Sequence, residues 1–258
     1  METIFRDILF DVSLSSSMLP GLSKTHMEQL LEFIRRLHSE NQRHNLTGCK
    51  SEQEIFNVLI CESLTMLHMM DVFYFNSSVI DVGSGAGIPG IPLMILFPSL
   101  NLTFLESNQK KCNFIDETLR GLNLDQRSTV ICDRAELAGR KDSWRDHFDV
   151  GICRALSTTA TALELISPFV RVDGRVVLVK GPRIFEEIKK AQEALNMIGC
   201  TLEKLLALPI PGIGRLNYYA VFTKYILTPD RFPRRVGLPQ KRPLLTPAKC
   251  STWNISLG

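Results

Sequence analysis

A doubly wound, mostly parallel α/β sheet, preceded by a helical region and followed by an antiparallel hairpin and a basic tail, is the fold that this 258-residue chain predicts. Three observations predict it. After residue 76, short apolar runs alternate with helical stretches, and strand and helix alternating in this way build right-handed βαβ units. A glycine-rich turn, Gly83-Ser84-Gly85-Ala86-Gly87-Ile88-Pro89-Gly90, joins the first such strand to the first such helix, where an open parallel sheet binds its ligands. A hydrophobic content of 45% in a chain of this length supports one large core and excludes disorder as the dominant state.

Residues 1–75 read as helical. Met27, Leu30, Leu31, Ile34 and Leu37 fall at helical spacing between Lys24 and Asn41, and Ser51 with Glu54 forms a capping box for a second helix running to about Met70. The pattern changes at Asn76-Ser77-Ser78, and residues 76–226 read as the sheet domain. Its strands are expected at Val79–Val82, Leu102–Leu105, Thr129–Cys132, Phe148–Cys153 and Arg175–Lys180, and its helices at Ile91–Phe97, Lys110–Arg120, Thr159–Val170 and Ile184–Ile198. Leu202–Leu208 and Tyr218–Tyr225 flank Pro209, Pro211, Gly212 and Gly214, the signature of a hairpin connection. Residues 227–258 form a Pro-rich tail, expected to be extended.

The net charge of +3 conceals an asymmetry: seven basic residues against the single acid Asp230 lie between Lys224 and the C-terminus, leaving a mildly acidic body. Seven cysteines, odd in number and without a CxxC pair, argue against a disulfide framework and a zinc cluster. No metal is expected. Glu2, Arg6, Asp7 and Asp11 interrupt the N-terminal apolar residues, and Ile88–Phe97 is short and holds two prolines, so neither a signal peptide nor a membrane span is expected and the compartment is read as cytoplasmic.

The glycine turn implies a nucleoside-containing cofactor, because glycines there allow positive φ and leave room for a ligand's approach. Glu106, ending the second strand 21 residues after Gly85, is placed to accept hydrogen bonds from two ribose hydroxyls. Gly85 to Gly90 satisfies the dinucleotide fingerprint G-x-G-x-x-G, so a nicotinamide-dependent oxidoreductase stays open. Asp81 before the first glycine favours S-adenosylmethionine, whose ammonium suits a carboxylate better than a pyrophosphate would. The alternative for Asp81 is a strand-end carboxylate capping backbone amides of the turn.

With these residues in view, the sequence resembles the RsmG (glucose-inhibited division protein B, GidB) family of bacterial 16S rRNA methyltransferases. The resemblance spans most of the chain: Asn45-Leu46-Thr47, Glu62-Ser63-Leu64, Asp81 through Gly90, Leu105-Glu106-Ser107, Arg134-Ala135-Glu136, Arg154-Ala155, Lys180-Gly181, Arg215 through Lys224, and the end Thr228-Pro229-Asp230-Arg231-Phe232-Pro233-Arg234-Arg235. One departure stands out. The family usually has His-x-x-Asp-Ser-Leu in its second helix, and here Leu59-Ile60-Cys61-Glu62-Ser63-Leu64 lacks the histidine and lengthens the carboxylate.

The resemblance implies a class I, Rossmann-like methyltransferase fold, S-adenosyl-L-methionine as cofactor, and methylation of nitrogen 7 of a guanine in 16S rRNA, with rRNA or the small ribosomal subunit as substrate; the chain is expected to act as a monomer. The resemblance implies cofactor contacts at Gly83, Ile88, Ala135, Glu136 and Arg154, to which the turn and the second strand add Asp81, Gly85, Gly87 and Glu106 as expected contacts. Arg154 beside a sulfonium is unfavourable without compensation, so it is expected to pair with an acid or to contact phosphate. Nitrogen 7 carries a lone pair and no proton. No general base is therefore needed, in keeping with histidines (26, 38, 44, 68, 147) that all lie outside the predicted strand ends. Arg154 is the positioning candidate. RNA phosphates are assigned to Lys180, Arg215, Arg231, Arg234, Arg235, Lys241 and Arg242, and Phe232 and Tyr218 are candidates for stacking on a base. A fold that kept rRNA binding as an inactive assembly factor is the remaining alternative.

Overall fold

The computed structural model describes residues 23–69, 71–73, 76–210 and 213–245. The expectations at Met70, Pro211 and Gly212, in the first 22 residues and beyond Leu245 lie outside them. Helix α1 (Lys24–His44) starts at Ser23, whose hydroxyl accepts from the His26 amide while the His26 ring accepts from the Ser23 amide. The second helix, α2, is composite: Glu52–Glu54 is capped by Ser51, Ile55–Ile60 is π-helical, and Cys61–Thr65 returns to α-helix. A π-helical turn shifts the phase of the residues after it and recurs at functional sites; here Glu62 follows it, buried against the sheet.

The sheet domain continues through β1 (Ser78–Val82), α3 (Gly90–Leu96), β2 (Asn101–Glu106), α4 (Gln109–Gly121), β3 (Ser128–Cys132), α5 (Ala135–Ala138), β4 (Phe148–Arg154), α6 (Thr159–Ile166), β5 (Val170–Lys180), α7 (Ile184–Lys190), α8 (Gln192–Ile198), β6 (Cys200–Ile210) and β7 (Arg215–Lys224), with a last turn of helix, α9 (Leu238–Lys241). Seven strands form one sheet in the order β3-β2-β1-β4-β5-β7-β6. The first five are parallel, β7 runs antiparallel to β5, and β6 antiparallel to β7. The order reverses between β1 and β4, so their carboxyl ends open the crevice in which such sheets bind ligands. This is the doubly wound fold with a terminal hairpin that the sequence predicts.

Both faces of the sheet are covered, as parallel strands require. Side chains alternate between two cores: Val177, Val179, Tyr219 and Val221 face α1 to α4, whereas Val176, Leu178, Ala220 and Phe222 face α6 to α8. At the β6 edge, Leu202 pairs with Phe222 and Lys204 with Val221, leaving Glu203 as an extra residue in the ladder.

Several predicted bounds shift. The helix expected at Thr159–Val170 ends at Ile166, where Pro168 sits in a 3₁₀ turn, and the freed Val170 begins a strand five residues earlier than Arg175. The helix expected at Ile184–Ile198 breaks in two at Ala191. The described part of the tail is not simply extended. Phe232 and Pro239 are buried, Arg140 and Arg145 donate to the backbone carbonyls of Thr228, Asp230, Arg231, Phe232 and Pro233, and Leu238–Lys241 is helical.

Candidate functional site

The glycine turn begins where β1 ends. Gly83, Gly85 and Gly87 hold φ of +73°, +59° and +78°, so the chain reverses within a few residues and Gly83 donates to the Leu105 carbonyl of β2 at 2.8 Å. A Cβ on Gly83 would lie 2.5 Å from Leu156 Cδ1 and one on Gly87 2.5 Å from Ile91 Cδ1. A Cβ on Gly85 would meet nothing closer than a backbone oxygen at 3.9 Å. The positive φ favours glycine at the first and third positions, where a Cβ would also displace Leu156 and Ile91; Gly85 opens a free floor in front of the turn.

Glu106 is fixed at the mouth of this floor. Its Oε2 accepts from the Gly85 amide at 3.0 Å, and its Oε1 accepts from the amides of Ser107 and Asn108 at 2.8 and 2.9 Å. A carboxylate oxygen has two acceptor sites, so Oε1 is filled and Oε2 keeps one site for a hydroxyl donor.

Asp81 is placed differently from the expectation. It is fully buried beneath α3, with Oδ2 accepting from the Gly90 amide at 3.2 Å and Oδ1 unpartnered, and it borders none of the described clefts. It caps the turn from below rather than meeting an ammonium. Burial pushes its carboxyl up to about 7, against the opposing Gly90 hydrogen bond. Gly87 likewise turns the chain without facing a cleft.

Three adjoining clefts open at the carboxyl ends of the strands. One of about 530 Å³ lies between Leu46–Cys49 and the turn, bordered by Gly83, Gly85 and Ile88. A second, of about 280 Å³, is bordered by Glu106, Ala135, Glu136, Leu156 and Gln240. The largest, about 860 Å³, lies beside Lys180, Arg183, Arg215 and Asn217. Arg154, the last residue of β4, borders all three, and Ala155 after it takes a left-handed φ of +54°, a conformation that costs energy away from glycine.

Arg154 pairs with an acid, as expected, and the acid is Glu62. The Arg154 Nε donates to Glu62 Oε1, Asn217 donates to Glu62 Oε2, and Arg215 Nη2 stands 3.6 Å from the same oxygen. Tyr219 donates to the Glu62 carbonyl at 2.9 Å and bonds the Thr65 hydroxyl. The lengthened carboxylate of α2 thus reaches across to the strand ends and neutralises the cation at the junction of the clefts.

The other nominated residues divide into two groups. Glu136 is spent on the tail: its Oε1 accepts from the Gly237 amide at 2.8 Å. Lys180 is held by Glu187 at 2.9 Å and by the Ser157 carbonyl, with 7% of its side chain exposed. Arg234 is bidentate to the fully buried Glu164, through Nε at 2.8 Å and Nη2 at 2.7 Å. These two cations brace the fold, which corrects their assignment to phosphate. Phe232 is buried and Tyr218 meets Phe185 edge-on at 5.2 Å, so both are packing residues. Arg215, Arg231, Arg235, Lys241 and Arg242 are exposed.

Sequence reasoning missed Glu164, Asn217 and Gln240. Glu164 had a signal: it is the one charged residue in the otherwise uncharged run Thr159–Ile166, and an acid there requires a partner. Asn217 and Gln240 carry no such mark.

The open floor at Gly85, the fixed carboxylate of Glu106 and the small Ala135 fit a nucleoside, and the adjoining cleft beyond Gly83 has room for an attached amino-acid chain. Among the described residues there is no cluster able to hold a metal ion and no helix long and apolar enough to cross a membrane.

Comparison with known proteins agrees. Residues 26–209 match the family described as rRNA small subunit methyltransferase G. The chain is 38% identical to ribosomal RNA small subunit methyltransferase G of Carboxydothermus hydrogenoformans and 37% identical to that of Roseiflexus castenholzii, each over 87% of this chain and 94% of the relative. The protein of the same name from Thermotoga neapolitana is 34% identical over 86% of this chain and 93% of its own. Among solved structures, a mutant of MtNAS shares the fold at a TM-score of 0.51 and 16% identity, covering 79% of this chain and 71% of that one. The oxidoreductase and inactive-factor alternatives gain no support. The turn, the strand order and these relatives together place the chain in the rRNA small subunit methyltransferase G (GidB) family, as an S-adenosylmethionine-dependent methyltransferase of small-subunit ribosomal RNA.

Proposed function

We propose that the chain methylates nitrogen 7 of a guanine in 16S rRNA, with the donor's adenosine in the 280 Å³ cleft, its amino-acid chain in the 530 Å³ cleft, and the acceptor base entering from the 860 Å³ cleft. The observation that carries this reading is the junction at Arg154, where donor and acceptor spaces meet beside a cation already compensated by Glu62. Bound S-adenosylmethionine supplies an electrophilic methyl group on a positively charged sulfur. Gly83, Gly85 and Ile88 shape the floor, Glu106 accepts from the ribose, and Ala135 lies against the base. Glu62 offsets the Arg154 charge at the junction and so weakens its repulsion of the sulfonium.

Nitrogen 7 attacks through a lone pair, so the protein's contribution is alignment of nucleophile, methyl and sulfur, an effect worth on the order of 7–11 kcal/mol. The major groove of A-form RNA is deep and narrow, so the guanine must be unpaired or extruded to reach the cleft. Of the cations the sequence nominates, Arg215, Arg231, Arg235, Lys241 and Arg242 are exposed and so able to meet phosphate. The test is transfer of labelled methyl to small subunits from cells lacking the modification, followed by chain cleavage selective for 7-methylguanosine. One cleavage in 16S rRNA is expected; transfer without cleavage would move the acceptor to another atom, and transfer to another RNA would overturn the substrate.

A further inference from the structure

The segment Gly237–Arg242 is latched from several sides although the sequence predicts an extended tail here. Gly237, at φ +77°, donates its amide to Glu136 Oε1 at 2.8 Å. Thr161 donates its hydroxyl to the Pro239 carbonyl at 3.0 Å, and Arg234, itself clamped on buried Glu164, donates to the Arg242 carbonyl at 2.8 Å. These bonds fix both ends and the middle of α9. The short helix holds Gln240 in the wall of the 280 Å³ cleft, among Ala135, Leu156 and Leu165.

The polar side chains of that wall are mostly committed. Glu106 accepts three backbone amides, Glu136 holds the Gly237 amide, Thr161 holds Pro239, and Asp133 holds Lys141 at 2.8 Å. Gln240 is the only carboxamide in the wall, and among the described residues it has no hydrogen-bond partner. A carboxamide presents a donor and an acceptor side by side, the complement of an adenine edge, which offers its amino group beside a ring nitrogen.

We propose that the latched segment completes the donor site and that Gln240 reads the adenine of the methyl donor, making it a specificity-determining residue contributed by the tail. The proposal rests on the placement of the donor's adenosine in this cleft. Glu136, the acid that the sequence offers for the base, serves instead as the post to which the reader is tied.

The experiment is a calorimetric cycle on the full chain with two ligands, S-adenosylhomocysteine and its purine analogue lacking the 6-amino group. The unaltered protein should bind the amino-bearing ligand about tenfold more tightly, a coupling of about 1.4 kcal/mol. Gln240→Ala should bind both alike, at the level of the weaker pair. Gln240 is exposed, so the substitution leaves the core untouched, and an unchanged melting temperature with a lost preference is the supporting result. Gln240→Ala that keeps the tenfold preference would overturn the assignment. Failure of the unaltered chain to bind S-adenosylhomocysteine at all would overturn the donor-site reading itself, and this proposal with it.

Discussion

Arg234 offers the sharpest separation between a cation that binds RNA and one that holds the fold. Glu164 is fully buried, and Arg234 is 21% exposed and gives it bonds from the backbone amide, Nε and Nη2. Arg234→Met removes the countercharge and leaves a carboxylate out of reach of water. Removing one partner of a buried pair costs roughly 3–5 kcal/mol. For a chain of this size each kcal/mol moves the melting temperature by roughly 2–4 °C, so a fall of roughly 6–20 °C is expected by thermal denaturation. Replacing both partners, Arg234→Met with Glu164→Met, should recover most of that loss, because apolar side chains of similar volume need no countercharge. The salt dependence of RNA binding should hardly change. A stability loss under about 1 kcal/mol for Arg234→Met, together with a flatter salt slope, would refute the reasoning and return Arg234 to the RNA.

Other consequences are equally open to measurement. Gly85→Leu should abolish S-adenosylhomocysteine binding by calorimetry while leaving the fold intact, since its Cβ enters open space at the floor of the site and the positive φ costs only about 1–2 kcal/mol. Neutralising the exposed Arg235 and Lys241 together should weaken RNA binding and reduce its salt slope by up to about two, without altering donor affinity; an unchanged slope would assign both to solvent. Asp81 titrates near 7 in the fold against an ordinary 3.8, so the folded state holds a proton that the unfolded chain releases. Stability from this group is complete below about pH 4 and disappears as pH rises toward 7. Asp81→Asn should therefore gain stability relative to the parent as pH rises, read as denaturant midpoint against pH; parallel profiles would show that folding leaves the carboxyl's titration unchanged.

The parallel strands are legible in the sequence because residues such as Val79, Ile80 and Val82 face two cores and so form short, near-continuous apolar runs, broken in β1 only by Asp81. The outer strands are less so. Cys200–Ile210 lies at an edge and alternates with exposed residues, and the first half of β5, Arg171 to Gly174, is polar, so the apolar pattern makes both too short. At the site, the glycine turn and Glu106 are readable because backbone geometry dictates the residue types. Arg154's need for an acid is readable too, but Glu62 lies 92 positions away, and only the tertiary fold joins them. The tail misleads for a related reason. A cation facing water and one facing a buried acid 70 residues earlier are written with the same letter, and no local pattern separates them.

The irregular register at β6 has a bearing on how the molecule behaves in a crowded solution. A bare outer strand is a template on which a second chain can grow. Here the inserted Glu203, held by Arg175 and Thr223 at 2.7 Å each, distorts the ladder, Lys204 is tethered to Asp71, and Pro209 withholds a donor near the strand's end. The rim is thereby made a poor template for self-addition, and an enzyme that acts on a large polyanion is spared a sticky flank that would cluster copies before they reach it.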